Sequence, residues 1–196
     1  MELLRLLSNT AGAPGFEEPI RKVMVDQMRP YATSITFDGM GSIIATQATT
    51  GPRIMVDAHM DELGGMVPAD ERTRVYPRDS LFLDVGASSE AEVRAMGISV
   101  GDPIVPDAPF EVLNGTANYP GKGWDDRVGC AVVVEAVRRL ATTPHPNQII
   151  YAITTQEEIG LRGAHTASDV IKPDLGIAIE GGITGDVFLG RPAVPS

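Results

Sequence analysis

Apolar positions recur along this chain with two distinct rhythms, and the change between them marks its elements. Ile20, Val23, Met24 and Met28 are spaced by three and four residues, which predicts a helix with one buried face that stops before Pro30. Cys130, Val133, Val134, Val137, Leu140 and Ala141 follow the same rhythm and predict a helix over 127–141 with a single apolar stripe. The opening MELLRLLSNTAG predicts a short first helix, and AGAPGF behind it a Gly/Pro loop. Elsewhere the apolar residues are contiguous. RIMVDAH, QIIYAITT and DLGIAIE are short runs bounded by turn residues, which predicts strands covered on both faces. SITF and SIIAT flank DGMG, whose glycines suit a tight turn, so 34–48 is expected to be a hairpin. Strands alternating with helical stretches predict an α/β fold: a mixed central sheet covered by helices on both faces.

The stretch from about Pro68 to Tyr119 breaks this pattern. Pro and Gly punctuate short strand-like runs, and one short helix is expected where Ser89 and Glu92 form a capping box and Gly97 provides the stop. It reads as a small β-rich insertion, 68–118, within a main domain built from 1–67 and 119–196. The composition, 43% hydrophobic and 21% charged over 196 residues, is that of a folded globular chain. A balance of 16 basic against 26 acidic residues gives a net charge of −10, which argues against nucleic acid and anionic membranes as partners. The apolar start is too short to span a bilayer and lacks the basic opening of a secretory signal. One cysteine, Cys130, allows no internal disulfide and fits a reducing compartment, so a cytoplasmic location is expected.

Four acidic motifs stand at or just past expected strand ends, where open α/β sheets place their sites. In His59-Met60-Asp61-Glu62 the carboxylate of Asp61 can orient the imidazole while its other nitrogen faces a metal; a surface His–Asp pair is an equally good account of that motif alone. Asp125-Asp126 precedes the helix of 127–141, and most such pairs are caps. Glu157-Glu158 can divide metal binding from proton transfer, although for that motif alone a solvated loop is the favoured account. Glu180 closes an apolar strand before Gly181-Gly182, a costly position for a carboxylate without a cation. Together they form one imidazole plus several carboxylates, a donor set suited to zinc, cobalt or manganese.

The segments GAPGFEE, FDGMGSIIA, DAHMDELGGMV, LFLDVGASSEAE, GISVGDPIV, KGWDDRVGCA, TTQEEIGLRGA and KPDLGIAIEGGITGDV resemble, in order, signature stretches of the M42 family of metallo-aminopeptidases. The resemblance runs from about Ala11 to Val187. It implies a zinc-peptidase-like fold, peptide substrates with a free N-terminus, two divalent ions and homo-oligomers from dimers to dodecamers. It also implies roles: His59, Asp125 and Glu180 as ligands of one ion, and Asp125 and Glu158 as ligands of the second. Asp61 would orient His59, and Glu157 would act as general base.

Two departures qualify what the resemblance implies. The family's last second-ion ligand is a histidine later than Ser196, so this chain is expected to hold one ion tightly and to lack the C-terminal part of the catalytic domain. The insertion is also shorter than the family's, which weakens the expectation of oligomers. A rival reading is therefore a catalytically impaired fragment or relative that keeps one metal site. A second rival, glycoside hydrolysis by paired acids such as Glu157 and Glu158, leaves His59 without a role. His145 is expected in an exposed loop, and His165 on a helix near the site. Cys130 is expected in the core, and Trp124 either packs or lines a pocket.

Overall fold

A computed structural model describes residues 1–47, 50–63, 84–113 and 117–182. Its elements, in chain order, are α1 (Glu2–Asn9), α2 (Glu18–Met28), β1 (Ser34–Phe37), β2 (Ile43–Gln47), β3 (Arg53–His59), α3 (Glu90–Ala95), α4 (Trp124–Leu140), β4 (Gln148–Thr154), α5 (Arg162–Ile171) and β5 (Leu175–Ala178). The expected helices and hairpin form within a few residues of their sequence-derived bounds. The five strands make one mixed sheet in the order β1-β2-β4-β3-β5. β1 pairs with β2, and β2 with β4, in antiparallel fashion, while β3 runs parallel to both β4 and β5.

Side-chain alternation divides the core into two layers, because successive residues of a strand point to opposite faces. Ile149, Tyr151 and Ile153 of β4 join Ile43, Ala45 and Ala58 beneath α1, α2 and α4. Ile150 and Ala152 join Ile44 and Met55 beneath Ala167 and Ile171 of α5. Helices therefore cover both faces, as the run lengths predict. Cys130, Val133, Val134 and Val137 of α4 are buried against the first layer. Ala141 is not part of that stripe: the helix ends at Leu140 and Ala141 is exposed as its C-cap.

The strand expectation fails at one edge. β5 was expected to be covered on both faces, yet all four of its residues are exposed, with Leu175 55% and Ile177 47% accessible. Among the described residues it pairs only with β3, so apolar sequence here reflects a surface that the described residues leave open. In the 68–118 stretch, the described residues 84–113 form α3 and no strand of the sheet; 68–83 and 114–116 lie outside the described residues. Ser89 caps α3 through Glu92 N–H at 3.3 Å, and Glu92 reaches back to Ser88 N–H at 2.6 Å, so the capping box forms with its return bond shifted by one residue. No helix among the described residues is long and apolar enough to cross a membrane.

The strand order carries a stability prediction. Ile153→Ala empties a fully buried position on the central β4 and should cost about 2 to 5 kcal/mol, whereas Ile177→Ala on the exposed edge should change stability by no more than about 0.5 kcal/mol. Urea unfolding midpoints of the two variants test it, and equal losses would overturn the assigned edge.

Candidate metal centre

Because β3, β4 and β5 are parallel, their carboxyl ends lie along one side of the sheet. His59 is paired with Thr154, and Asp57 with Ala178, so the residues after these positions emerge side by side. Met60 N–H extends the ladder to Thr154 C=O at 2.9 Å, and Ile179 N–H to Asp57 C=O at 2.8 Å. The backbone thus aligns the loops bearing Asp61, Glu157 and Glu180 before any side chain is considered. The start of α4, which packs on β3, adds Asp125.

His59 is the hub and is only 3% exposed. Its Nδ1 lies 3.4 Å from Asp61 Oδ1, within ion-pair reach but off hydrogen-bond alignment. Its Nε2 faces three further acids: Asp125 Oδ1 at 2.8 Å, Glu180 Oε1 at 3.4 Å and Glu157 Oε2 at 3.8 Å. Asp61 has no exposed surface, and it accepts Glu157 N–H at Oδ1 (3.0 Å) and Glu158 N–H at Oδ2 (3.1 Å). One carboxylate therefore stands beside the imidazole and holds the loop of the two glutamates. The nitrogen turned from Asp61 is the one that faces the acids, as the sequence argument required.

The paired aspartates divide their work. Asp126 is fully buried; its Oδ1 accepts Gly129 N–H at 3.0 Å, which is a helix cap, and its Oδ2 accepts His59 N–H at 3.3 Å. Both oxygens are thus engaged by main-chain donors, so Asp126 braces β3 against α4. The helical φ/ψ values begin only at Arg127, and the Asp125–Asp126 peptide is cis. Asp125 is left free to project outward. The capping account is right for Asp126 and wrong for Asp125. Gly181 lets the end of the β5 segment come close to Asp125: a Cβ there would stand 3.3 Å from Asp125 Cα.

The electrostatics of the cluster call for a cation. Burial alone would push the His59 imidazole down, but Asp61, Asp125 and Glu180 outweigh it and hold it up to about 10. Burial would raise Asp61, yet His59 and the two backbone N–H groups keep it below the ordinary carboxylate range. Glu158 is raised by burial and by Asp125 and Glu157 beside it. Glu180 is raised by burial and by its hydrogen bond with Asp125. Burial lifts Asp126 to about 7. Asp126, Glu158 and Glu180, all raised beside an imidazole that is itself held up, mark a donor set short of positive charge.

Donor atoms of His59, Asp125 and Glu158, and of His59, Asp126 and Glu180, lie within 4.8 Å of one another. The residues present thus fit a divalent ion. Both groupings use the same imidazole, and Asp126 has its oxygens committed elsewhere. All six residues singled out from sequence, His59, Asp61, Asp125, Glu157, Glu158 and Glu180, converge here. His165 is exposed on α5 and belongs to neither grouping; His145 bonds through Nδ1 to Asn147 C=O in its own loop. Cys130 is a core residue, its thiol bonded to His59 C=O at 3.1 Å. Trp124 packs against Phe110, with ring centroids 5.7 Å apart. Sequence reasoning missed the brace made by Asp126 and the buried Glu17, which accepts Gln156 N–H at 3.1 Å. The position of Gln156 is unusual, since it is a non-glycine residue at φ +55, a conformation costing about 1 to 3 kcal/mol unless its surroundings impose it.

Residues 68–192 match the family model described as M42 glutamyl aminopeptidase. The chain is 34% identical to a putative aminopeptidase of Acetivibrio thermocellus, over 97% of this chain and 68% of the relative. It is 30% identical to the putative aminopeptidase FrvX of Escherichia coli K12, over 95% of this chain and 65% of the relative. The FrvX alignment spans 237 positions, more than the 196 residues of this chain, so the relative carries residues within the matched span that this chain lacks. Among solved structures, a TET aminopeptidase from a marine sediment Thaumarchaeota archaeon superposes with a TM-score of 0.86 at 32% identity, covering 98% of this chain and 69% of that one. The chain therefore spans about two thirds of the length of the curated relatives it matches.

Two expectations follow from the geometry. Asp61→Asn should weaken zinc binding by about 10- to 100-fold, the usual effect of removing the group that orients a ligating histidine; isothermal titration measures it, and unchanged affinity would refute the orienting role. Stripped of metal, the chain should lose stability as pH rises. The His59 imidazole is raised from 6.5 to about 10, so its contribution is complete below 6.5 and disappears on passing through about 10. Urea midpoints of chelator-treated protein should fall across that window, and a flat profile would contradict the charge arrangement.

Proposed function

The chain belongs to the M42 peptidase family, and on that premise we propose that it is a metal-dependent aminopeptidase cleaving the N-terminal peptide bond of peptides. The observation that carries this reading is the convergence of four acids on the imidazole of His59 at the carboxyl edge of a parallel strand set. In the proposed site His59, Asp125 and Glu180 hold the first divalent ion, and Glu158 with Asp125 faces a second. Divalent ions such as zinc, cobalt or manganese supply Lewis acidity toward a scissile carbonyl and lower the pKa of water.

The chain's own residues do the rest. Asp61 fixes the imidazole so that Nε2, not Nδ1, is presented. Glu157 lies 3.8 Å from that nitrogen, too far for a direct hydrogen bond but near enough to face a water held beside it. It takes a proton from the attacking water and delivers it to the amine that leaves. Glu158, one residue on, points from the same Asp61-bound turn and serves as a ligand, so two adjacent glutamates act in different roles. The described donors share a single imidazole, which supports the narrower reading that this chain holds one ion tightly.

Glu157→Gln should lower turnover of aminoacyl chromogenic substrates by about 10² to 10⁴ while bound metal stays constant. Glu158→Gln should lose metal instead. Metal analysis and kinetics on the same samples decide between them, and the opposite pattern would exchange the two assignments.

A further inference from the structure

Resting on the hydrolase reading above, we propose that Glu17 is a positioning residue that fixes the backbone carrying the proton-transferring Glu157. Glu17 is 1% exposed and stands at the N-cap of α2, yet its side chain makes no capping bond to that helix. Its Oε1 instead accepts Gly15 N–H at 2.8 Å and, 139 positions away, Gln156 N–H at 3.1 Å. Arg21, the cation paired with it, is 3.9 Å from Oε2, beyond hydrogen-bond distance. A buried carboxylate supported by two main-chain donors and a distant guanidinium is an expensive way to close a loop. What it achieves is specific to the turn after β4.

Three consecutive N–H groups of that turn are each held by a buried carboxylate. Gln156 is bound by Glu17, and Glu157 and Glu158 by Asp61. Gln156 sits at φ +55, a conformation that a glutamine leaves unless it is held. The Asp61 bonds set the translation of the turn at its far end. Glu17 holds its near end, the Thr155–Gln156 peptide that leads into Glu157. Without Glu17 the partly buried Gln156 N–H loses its acceptor, and the Thr155–Gln156 peptide keeps only the bond that Thr155 C=O accepts from Gly163 N–H at 3.0 Å. Of the metal-facing donors, His59, Asp125 and Glu180 lie on other elements, and Glu158, on the turn itself, keeps its N–H bond to Asp61 at 3.1 Å. Glu17 thus acts through Glu157 and touches no reacting atom.

The test compares Glu17→Ala, Glu17→Gln and Glu17→Asp in the full chain loaded with cobalt, reading metal content, kcat, KM and amide hydrogen exchange. Glutamine keeps the Oε1 acceptor, alanine removes it, and aspartate is too short to span both donors. Glu17→Ala is expected to lower kcat about tenfold or more with KM and metal content nearly unchanged, and to speed exchange at 155–158 but not within β4. Glu17→Asp should behave likewise, and it serves if the alanine variant does not fold. Glu17→Gln should restore kcat to within about threefold of the parent. Unchanged exchange at 155–158 in the alanine and aspartate variants, or a glutamine variant as impaired as alanine, would overturn the proposal. Should the parent chain show no turnover, the aminopeptidase reading fails, while the exchange comparison still decides the role of Glu17.

Discussion

The buried carboxylate of Asp61 is the constraint on which the site depends. It is wholly inaccessible to solvent, and such a group is stable only when its charge and lone pairs are met. Here the imidazole of His59 meets the charge from one side, and two successive N–H groups of the turn after β4 meet the lone pairs from the other. The ends of two neighbouring parallel strands are thereby tied at one point. Removing one partner of a buried charged pair typically costs about 3 to 5 kcal/mol, so the arrangement is self-enforcing.

The acids gathered on the far side of the imidazole have the opposite character. Asp125 and Glu180 are more than half exposed, and Glu157 is a quarter exposed. They are not held by a dense hydrogen-bond net but crowd one another, and this crowding together with burial lifts Glu158 and Glu180 above the ordinary carboxylate range. A rigid inner layer of Asp61 and Asp126 thus supports a looser outer layer with a deficit of positive charge. That contrast between committed and uncommitted carboxylates separates scaffold from donors more clearly than residue type does.

The sheet is as uneven as the site. Its centre, β4 between β2 and β3, is buried on both faces under four helices, whereas the outer strands β1 and β5 are largely open. Glu180 follows the more exposed of these edges. One proposed ligand therefore rides on a strand with little packing of its own, and its approach to Asp125 relies on the close contact that Gly181 permits. Buried polar ties reinforce the amino-terminal side: Arg127 donates to Leu7 and Thr10 carbonyls, and Lys122 pairs with the buried Glu62. These draw α1 and the loop behind it onto the start of α4, where Asp125 stands.

Local sequence determined a good deal. Three- and four-residue apolar spacing located α2 and α4, contiguous apolar runs located β3 and β4, and the turn chemistry of DGMG located the β1–β2 hairpin, because each depends on interactions between near neighbours. The same logic placed His59, Asp61, Asp125, Glu157, Glu158 and Glu180 at strand or helix ends. It went wrong where burial depends on distant partners: Ala141 continues the stripe in sequence but lies past the helix end, and the apolar β5 has an open face. Nor could any spacing reveal that of two adjacent aspartates one caps a helix and braces His59 while the other projects outward. The pairing of Glu17 with Gln156 is equally invisible, since hydrogen bonds across 139 positions follow no period. Sequence chose the residues and their elements; only the folded sheet, by bringing three parallel strand ends and the start of α4 together, decided which acids are buried supports and which are free donors.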